Sequence, residues 1–199
     1  MGCLIPKKGM EELFKRILAK VKDASKIVFM GIGEEKLSDD GVGPYIISKL
    51  LHLSNQKFLF INAGIDPMAR VDDIVNFHPS HLVLIDTCTL KKEPGTISIL
   101  ERENMSNYIP ISSHTIPIHI VIDLLINQIQ NLKVFMIGFV PESLEGFTEL
   151  RQFRSDELSL EELDKNIDLP FFEIHLTDTV QKSADMLIEI IKKLLELIK

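Results

Sequence analysis

Apolar residues along this chain fall into two kinds of spacing. Short continuous runs, at Ile27-Val-Phe-Met30, Lys57-Phe-Leu-Phe-Ile-Asn62, His81-Leu-Val-Leu-Ile-Asp86 and Leu132-Lys-Val-Phe-Met-Ile-Gly138, read as strands, the first of the kind buried on both faces. Between them the apolar positions recur at helical intervals. Met10, Leu13, Phe14, Ile17, Leu18 and Val21 predict an amphipathic helix over residues 9–23. A second helix is predicted over Val42–Leu51. Pro67 opens a third, whose apolar face is Met68, Val71, Ile74 and Val75 and which Pro79 ends. A fourth covers Ile118–Ile129, and Thr177-Asp-Thr offers a cap for a last helix ending near Lys199. Thr96-Ile-Ser-Ile-Leu100, after the turn residues Glu93-Pro-Gly95, alternates as an exposed strand at an antiparallel edge does, and a loop is expected beyond it.

Alternating strands and helices predict an α/β fold: a three-layer α/β/α sandwich around a mostly parallel five-stranded sheet, its crossovers right-handed. The 199 residues suit one α/β domain. Residues 1–24 form a helical extension ahead of the first strand. Residues 148–170 are acidic and poor in large apolar side chains, and read as a surface insertion. Phe171-Phe-Glu-Ile-His-Leu176 then docks as an extended segment.

Composition narrows the function more than the fold. With 45% hydrophobic and 26% charged residues the chain has the make-up of a packed globular protein. A formal net charge of −7 argues against general nucleic-acid binding, which calls for a basic face. Two cysteines, Cys3 and Cys88, do not make a disulfide framework, so a reducing cytoplasm is the expected setting. Met1-Gly-Cys3 is similar to the start of a myristoylation signal, but Pro6 stands where Ser or Thr is required. No run reaches the roughly 20 apolar residues of a membrane span. Nothing in the pattern fixes the oligomeric state.

Candidate chemistry gathers after the first strand. Gly31 and Gly33 allow a sharp turn at its carboxyl end, and Asp39 and Asp40 follow just before the Val42 helix. In open α/β sheets ligands bind at such strand ends. Gly31-x-Gly33 lacks the third glycine of a dinucleotide fingerprint, and no Gly-Lys-Ser/Thr follows for a phosphate loop. Three groups are predicted in loops at carboxyl strand ends: Asp40, Asp86 and His114. Two carboxylates and one imidazole are a donor set for a first-row divalent metal, able to polarise a carbonyl and activate water. Each also has a plainer reading: Asp40 as a helix cap, Asp86 bonded to loop amides, His114 capping the helix after it. His52, His78, His81, His119 and His175 lie in or beside helix and strand patterns and read as structural. Cys88 is either a soft ligand or a small buried residue.

These motifs resemble the hydrogenase maturation endopeptidases, which trim the carboxyl-terminal extension from the large subunit of nickel-iron hydrogenases. Gly31-Ile-Gly33 with Asp39-Asp-Gly-Val-Gly-Pro44 is similar to the opening signature of that family. His78-Pro-Ser-His-Leu-Val-Leu-Ile-Asp86, Pro94-Gly95, Ser113-His-Thr-Ile-Pro117, Gly138-Phe-Val-Pro141 and Gly146-Phe147 continue the likeness over about residues 27–147 and the last helix. The resemblance implies a three-layer sandwich with a twisted five-stranded sheet. It also implies metal recognition and catalysis by Asp40, Asp86 and His114, and a hydrogenase large-subunit precursor as protein substrate. Nickel is then expected to arrive on that substrate rather than be held permanently. Two positions depart from the pattern: Glu34 replaces a usual asparagine, and Asn62 replaces a usual acid at the second strand end. A non-catalytic metal-sensing chaperone for a hydrogenase precursor is the alternative from another class. A nucleotide binder is disfavoured, because adjacent carboxylates repel phosphate.

Overall fold

A computed structural model of the chain describes residues 7–108, 116–144 and 175–198. Five strands form one sheet: β1 (Ile27–Ile32), β2 (Phe58–Gly64), β3 (His81–Thr87), β4 (Ile97–Glu101) and β5 (Lys133–Phe139). Their order is β2-β1-β3-β5-β4, with every pairing parallel except β4 on β5. The helices are α1 (Lys7–Val21), α2 (Val42–Leu50), α3 (Val71–Phe77), α4 (Arg102–Tyr108), α5 (Ile118–Gln128) and α6 (Asp178–Leu197). The expected mostly parallel, five-stranded α/β architecture is the observed one, with helices on both faces.

The strand period of two sorts the core into those layers. Ile27 and Phe29 of β1, Phe58 and Phe60 of β2, Val83 and Ile85 of β3, and Phe135 and Ile137 of β5 face α1, α2 and α6. Their neighbours Val28, Met30, Leu82, Leu84 and Met136 face the opposite way, onto α3, α4 and α5. All residues of β1 and of β3 are buried, which explains why both read as uninterrupted apolar runs. Phe29 and Phe60 stack across β1 and β2 with ring centroids 4.9 Å apart.

Three local findings differ from the periodicity reading. Residues 102–108 are helical rather than a loop; the turn is anchored by Met105, its buried apolar residue. The third helix begins as a 3₁₀ turn at Pro67–Arg70, capped by Asp66, before α3 proper. β1 continues to Ile32, with a bulge between Gly31 and Ile32 in its pairing with β2. The expected insertion at 148–170, the segment Phe171-Phe-Glu-Ile174 and most of the loop 109–117 lie outside the described residues.

Candidate active site at the carboxyl strand ends

Two glycines bring α2 onto the sheet at the point where β1 and β3 end. A side chain at Gly43 would run into the backbone of Ile32 and Ile85, and one at Gly31 into the backbone of Gly43. The start of α2 therefore lies directly against the ends of both strands. Gly33 has φ +134°, a conformation L-residues rarely adopt, and its Cα faces the Asp40 carbonyl too closely for any side chain. Between them the chain makes a 3₁₀ turn, Ser38–Gly41, which carries the two acids.

That turn sends the two carboxylates to different places. Neither caps α2: its cap residue is Gly41, with no side-chain bond. Asp40 turns back to the strand ends, its Oδ2 accepting from the Glu34 amide at 2.8 Å and its Oδ1 from the Thr87 hydroxyl at 3.2 Å. Asp86 Oδ1 accepts from the Thr87 amide at 2.7 Å. Thr87 thus joins Asp40 to Asp86, through its side chain to one and its backbone to the other. All three are buried, with Asp40 8% and Asp86 2% exposed. Alternation along β3 continues Leu82 and Leu84 into Asp86 on the α5 side of the sheet and sets Thr87 on the α2 side, toward Asp40. Anionic oxygens, at the open end of a parallel sheet, suit a hard or borderline cation or a proton in transfer.

Asp39 goes the other way. Its carboxylate accepts from the Glu142 and Ser143 amides after β5 and from both the amide and hydroxyl of Thr177, the cap residue of α6. Asp39 thus binds two distant loops to the turn that carries it. At the end of β2, Asn62 uses its carbonyl oxygen to accept from the Gly64 amide and its Nδ2 to donate to Glu35 Oε1 at 2.9 Å. A carboxylate from the β1–α2 loop therefore stands beside the position where Asn62 departs from the family pattern.

His114 lies outside the described residues. Among the described residues no three of His, Cys, Asp and Glu are grouped so as to hold a metal ion. Cys88 is fully buried against Gly138, and burial, with the charge of Asp86 adding to it, pushes its thiol up to about 11. It is therefore a protonated packing residue rather than a nucleophile or thiolate ligand. Sequence reasoning did not single out Thr87, because nothing in its local pattern marks it.

Comparison with known proteins identifies the family of this chain. The family model for HycI hydrogenase maturation proteases matches residues 44–158, more than half of the chain. The chain belongs to the hydrogenase maturation protease family. It is a protease. A Methanocaldococcus jannaschii protein assigned as a hydrogenase maturation protease is 31% identical over 137 residues, covering 65% of this chain and 80% of its own. The hydrogenase 3 maturation protease of Escherichia coli is 25% identical over 120 residues, covering 60% of this chain and 75% of its own. Among solved structures, the [NiFe] hydrogenase maturation protease HycI from Thermococcus kodakarensis shares the fold with a TM-score of 0.70. It covers 91% of this chain and 99% of its own at 22% identity. The family-matched stretch includes Asp86, Thr87 and His114 and begins just after Asp40.

Proposed function

We propose that this protease removes the carboxyl-terminal extension of a nickel-iron hydrogenase large-subunit precursor, with Asp40, Asp86 and His114 recognising nickel that the precursor carries. The observation that best supports this reading is the Asp40–Thr87–Asp86 linkage at the open end of the parallel sheet, in a chain of this family. Two carboxylates with an imidazole fit nickel chemically: both donor types occur around first-row divalent ions. The ion, as cargo of the substrate, supplies positive charge beside the scissile carbonyl. Hydrolysis consumes one water, whose oxygen bonds to the carbonyl carbon as the C–N bond breaks and a proton passes to the departing amine. A carboxylate at the site is a suitable acceptor for the proton that the attacking water sheds. The Glu34 amide and Thr87 hydroxyl fix the orientation of Asp40 before substrate arrives, so that little reorganisation remains for the reaction.

The test is tail removal from a nickel-loaded precursor, followed by mass spectrometry, for the wild-type protein and for His114→Ala. Loss of cleavage in a folded His114→Ala variant is expected. Undiminished cleavage would remove His114 from the site, and failure of the wild type to cleave the nickel-loaded precursor would rule out that substrate.

A further inference from the structure

Asp39 is fully buried, and its named hydrogen-bond donors are all uncharged. Its Oδ1 accepts from the Thr177 amide at 2.7 Å. Its Oδ2 accepts from the Glu142 amide at 2.8 Å, the Ser143 amide at 3.0 Å and the Thr177 hydroxyl at 3.0 Å. Its own amide donates to the Ser143 carbonyl at 3.2 Å. Thr177 is in turn the cap of a 20-residue helix, its hydroxyl accepting from the Val180 amide, so the carboxylate lies at the positive end of α6. Four donors to one carboxylate satisfy a charge that would otherwise be costly to bury. They also tie together three regions far apart in the chain: the turn after β1, the exit from β5 and the entry to α6.

The turn that Asp39 anchors is strained. Ser38 has φ +48°, a left-handed conformation for a residue with a side chain. Such strain persists only where the surroundings over-determine the backbone. Asp40, the next residue in the same 3₁₀ turn, has its carboxylate aimed at Glu34 and Thr87 rather than at α2.

We propose that Asp39 is a positioning residue: by fixing the turn to the β5 exit and the α6 cap, it holds the Asp40 carboxylate in its working orientation. Asparagine has nearly the same shape but only one accepting oxygen. In Asp39→Asn an N–H must face the donors on one side, so the clamp opens and the Ser38–Gly41 turn relaxes. The kinetic consequence rests on the function proposed above; the structural one does not.

Two readouts test this. First, the backbone amide signal of Glu34, which reports the bond to Asp40, is followed by ¹⁵N NMR in Asp39→Asn, with Asp40→Asn as the reference for a lost bond. The Glu34 signal is expected to move toward its reference position. Second, cleavage of nickel-loaded precursor by folded Asp39→Asn is expected to show kcat about 10²-fold lower with KM little changed, the size of effect a displaced group produces. Thr177→Val, which removes one donor and leaves the charge, is expected to shift both readouts in the same direction by a smaller amount. It serves where Asp39→Asn does not fold. An unmoved Glu34 signal together with wild-type kcat in either folded variant, whatever the loss of Tm, would make Asp39 a purely structural clamp and overturn the proposal. If the wild type cleaves no nickel-loaded precursor, the proposed substrate fails while the Glu34 signal still decides the positioning.

Discussion

The Thr87 hydroxyl donates to Asp40 Oδ1 at 3.2 Å, and neither residue has significant access to solvent. The bond crosses from the end of β3 to the turn before α2, and with the Thr87 amide on Asp86 it makes the two carboxylates parts of one arrangement.

Thr87→Val keeps the shape and removes that donor. It is expected to lower precursor cleavage about 10-fold, as the loss of groups that orient a site commonly does. Stability should fall by about 1–3 kcal/mol, because a buried acceptor loses a partner. Single-turnover cleavage and urea unfolding measure the two effects, and an unchanged rate would show that the hydroxyl does not orient Asp40.

Asp40→Asn and Asp86→Asn should each lose cleavage by roughly 10²–10³-fold while circular dichroism stays that of the native fold. Asn at either position still offers an oxygen to the neighbouring donor but carries no charge. Retained activity in Asp86→Asn would confine the chemistry to the α2 side of the sheet.

Gly43→Ala tests the close approach that sets the α2 turn on the strand ends. The new methyl would overlap backbone atoms of Ile32 and Ile85, neither of which can move without disturbing the central strands. A loss of about 3 kcal/mol or more is expected on urea unfolding, at the upper end of overpacking costs. A neutral substitution would contradict the close approach described here.

Two buried groups make stability depend on pH with opposite signs. His81, at the amino end of β3, is held below its ordinary value of 6.5 chiefly by burial, against the opposing charge of Asp23. The unfolded chain therefore takes up a proton first, and the His81 contribution, complete above pH 6.5, is lost progressively as pH falls below it. Cys88, raised from 9.0 to about 11, contributes stability below pH 9.0 that is lost as pH rises through about 11. Urea midpoints across pH should be shallower on the acid side in His81→Gln and on the alkaline side in Cys88→Ala. Iodoacetamide at neutral pH should label Cys88 in the unfolded chain and spare it in the folded one.

Much of this architecture was readable because burial on both faces leaves continuous apolar runs at β1 and β3, and because Pro94-Gly95 and the alternation after it announce the antiparallel edge. Helix α4 escaped because Met105 is its one buried apolar side chain among those described, too few to show a period. The site was legible in part. Asp40 and Asp86 are carboxylates at strand ends, which chain order alone suggests. The division of labour between Asp39 and Asp40 is invisible in two identical adjacent letters; it arises from a 3₁₀ turn that points them apart. Thr87 becomes evident only once the β1–β3 register places the end of β3 beside that turn. The Glu35–Asn62 pair likewise depends on how the β1–α2 loop folds over β2.

The central claim is that the strand-end carboxylates act on a precursor that carries nickel. Its most direct test compares the wild-type protein on nickel-loaded and nickel-free large-subunit precursor, with tail release followed by mass spectrometry. Release only from the loaded precursor, lost in Asp40→Asn, is the predicted result. Equal release from both precursors, or release undiminished in Asp40→Asn, would contradict it.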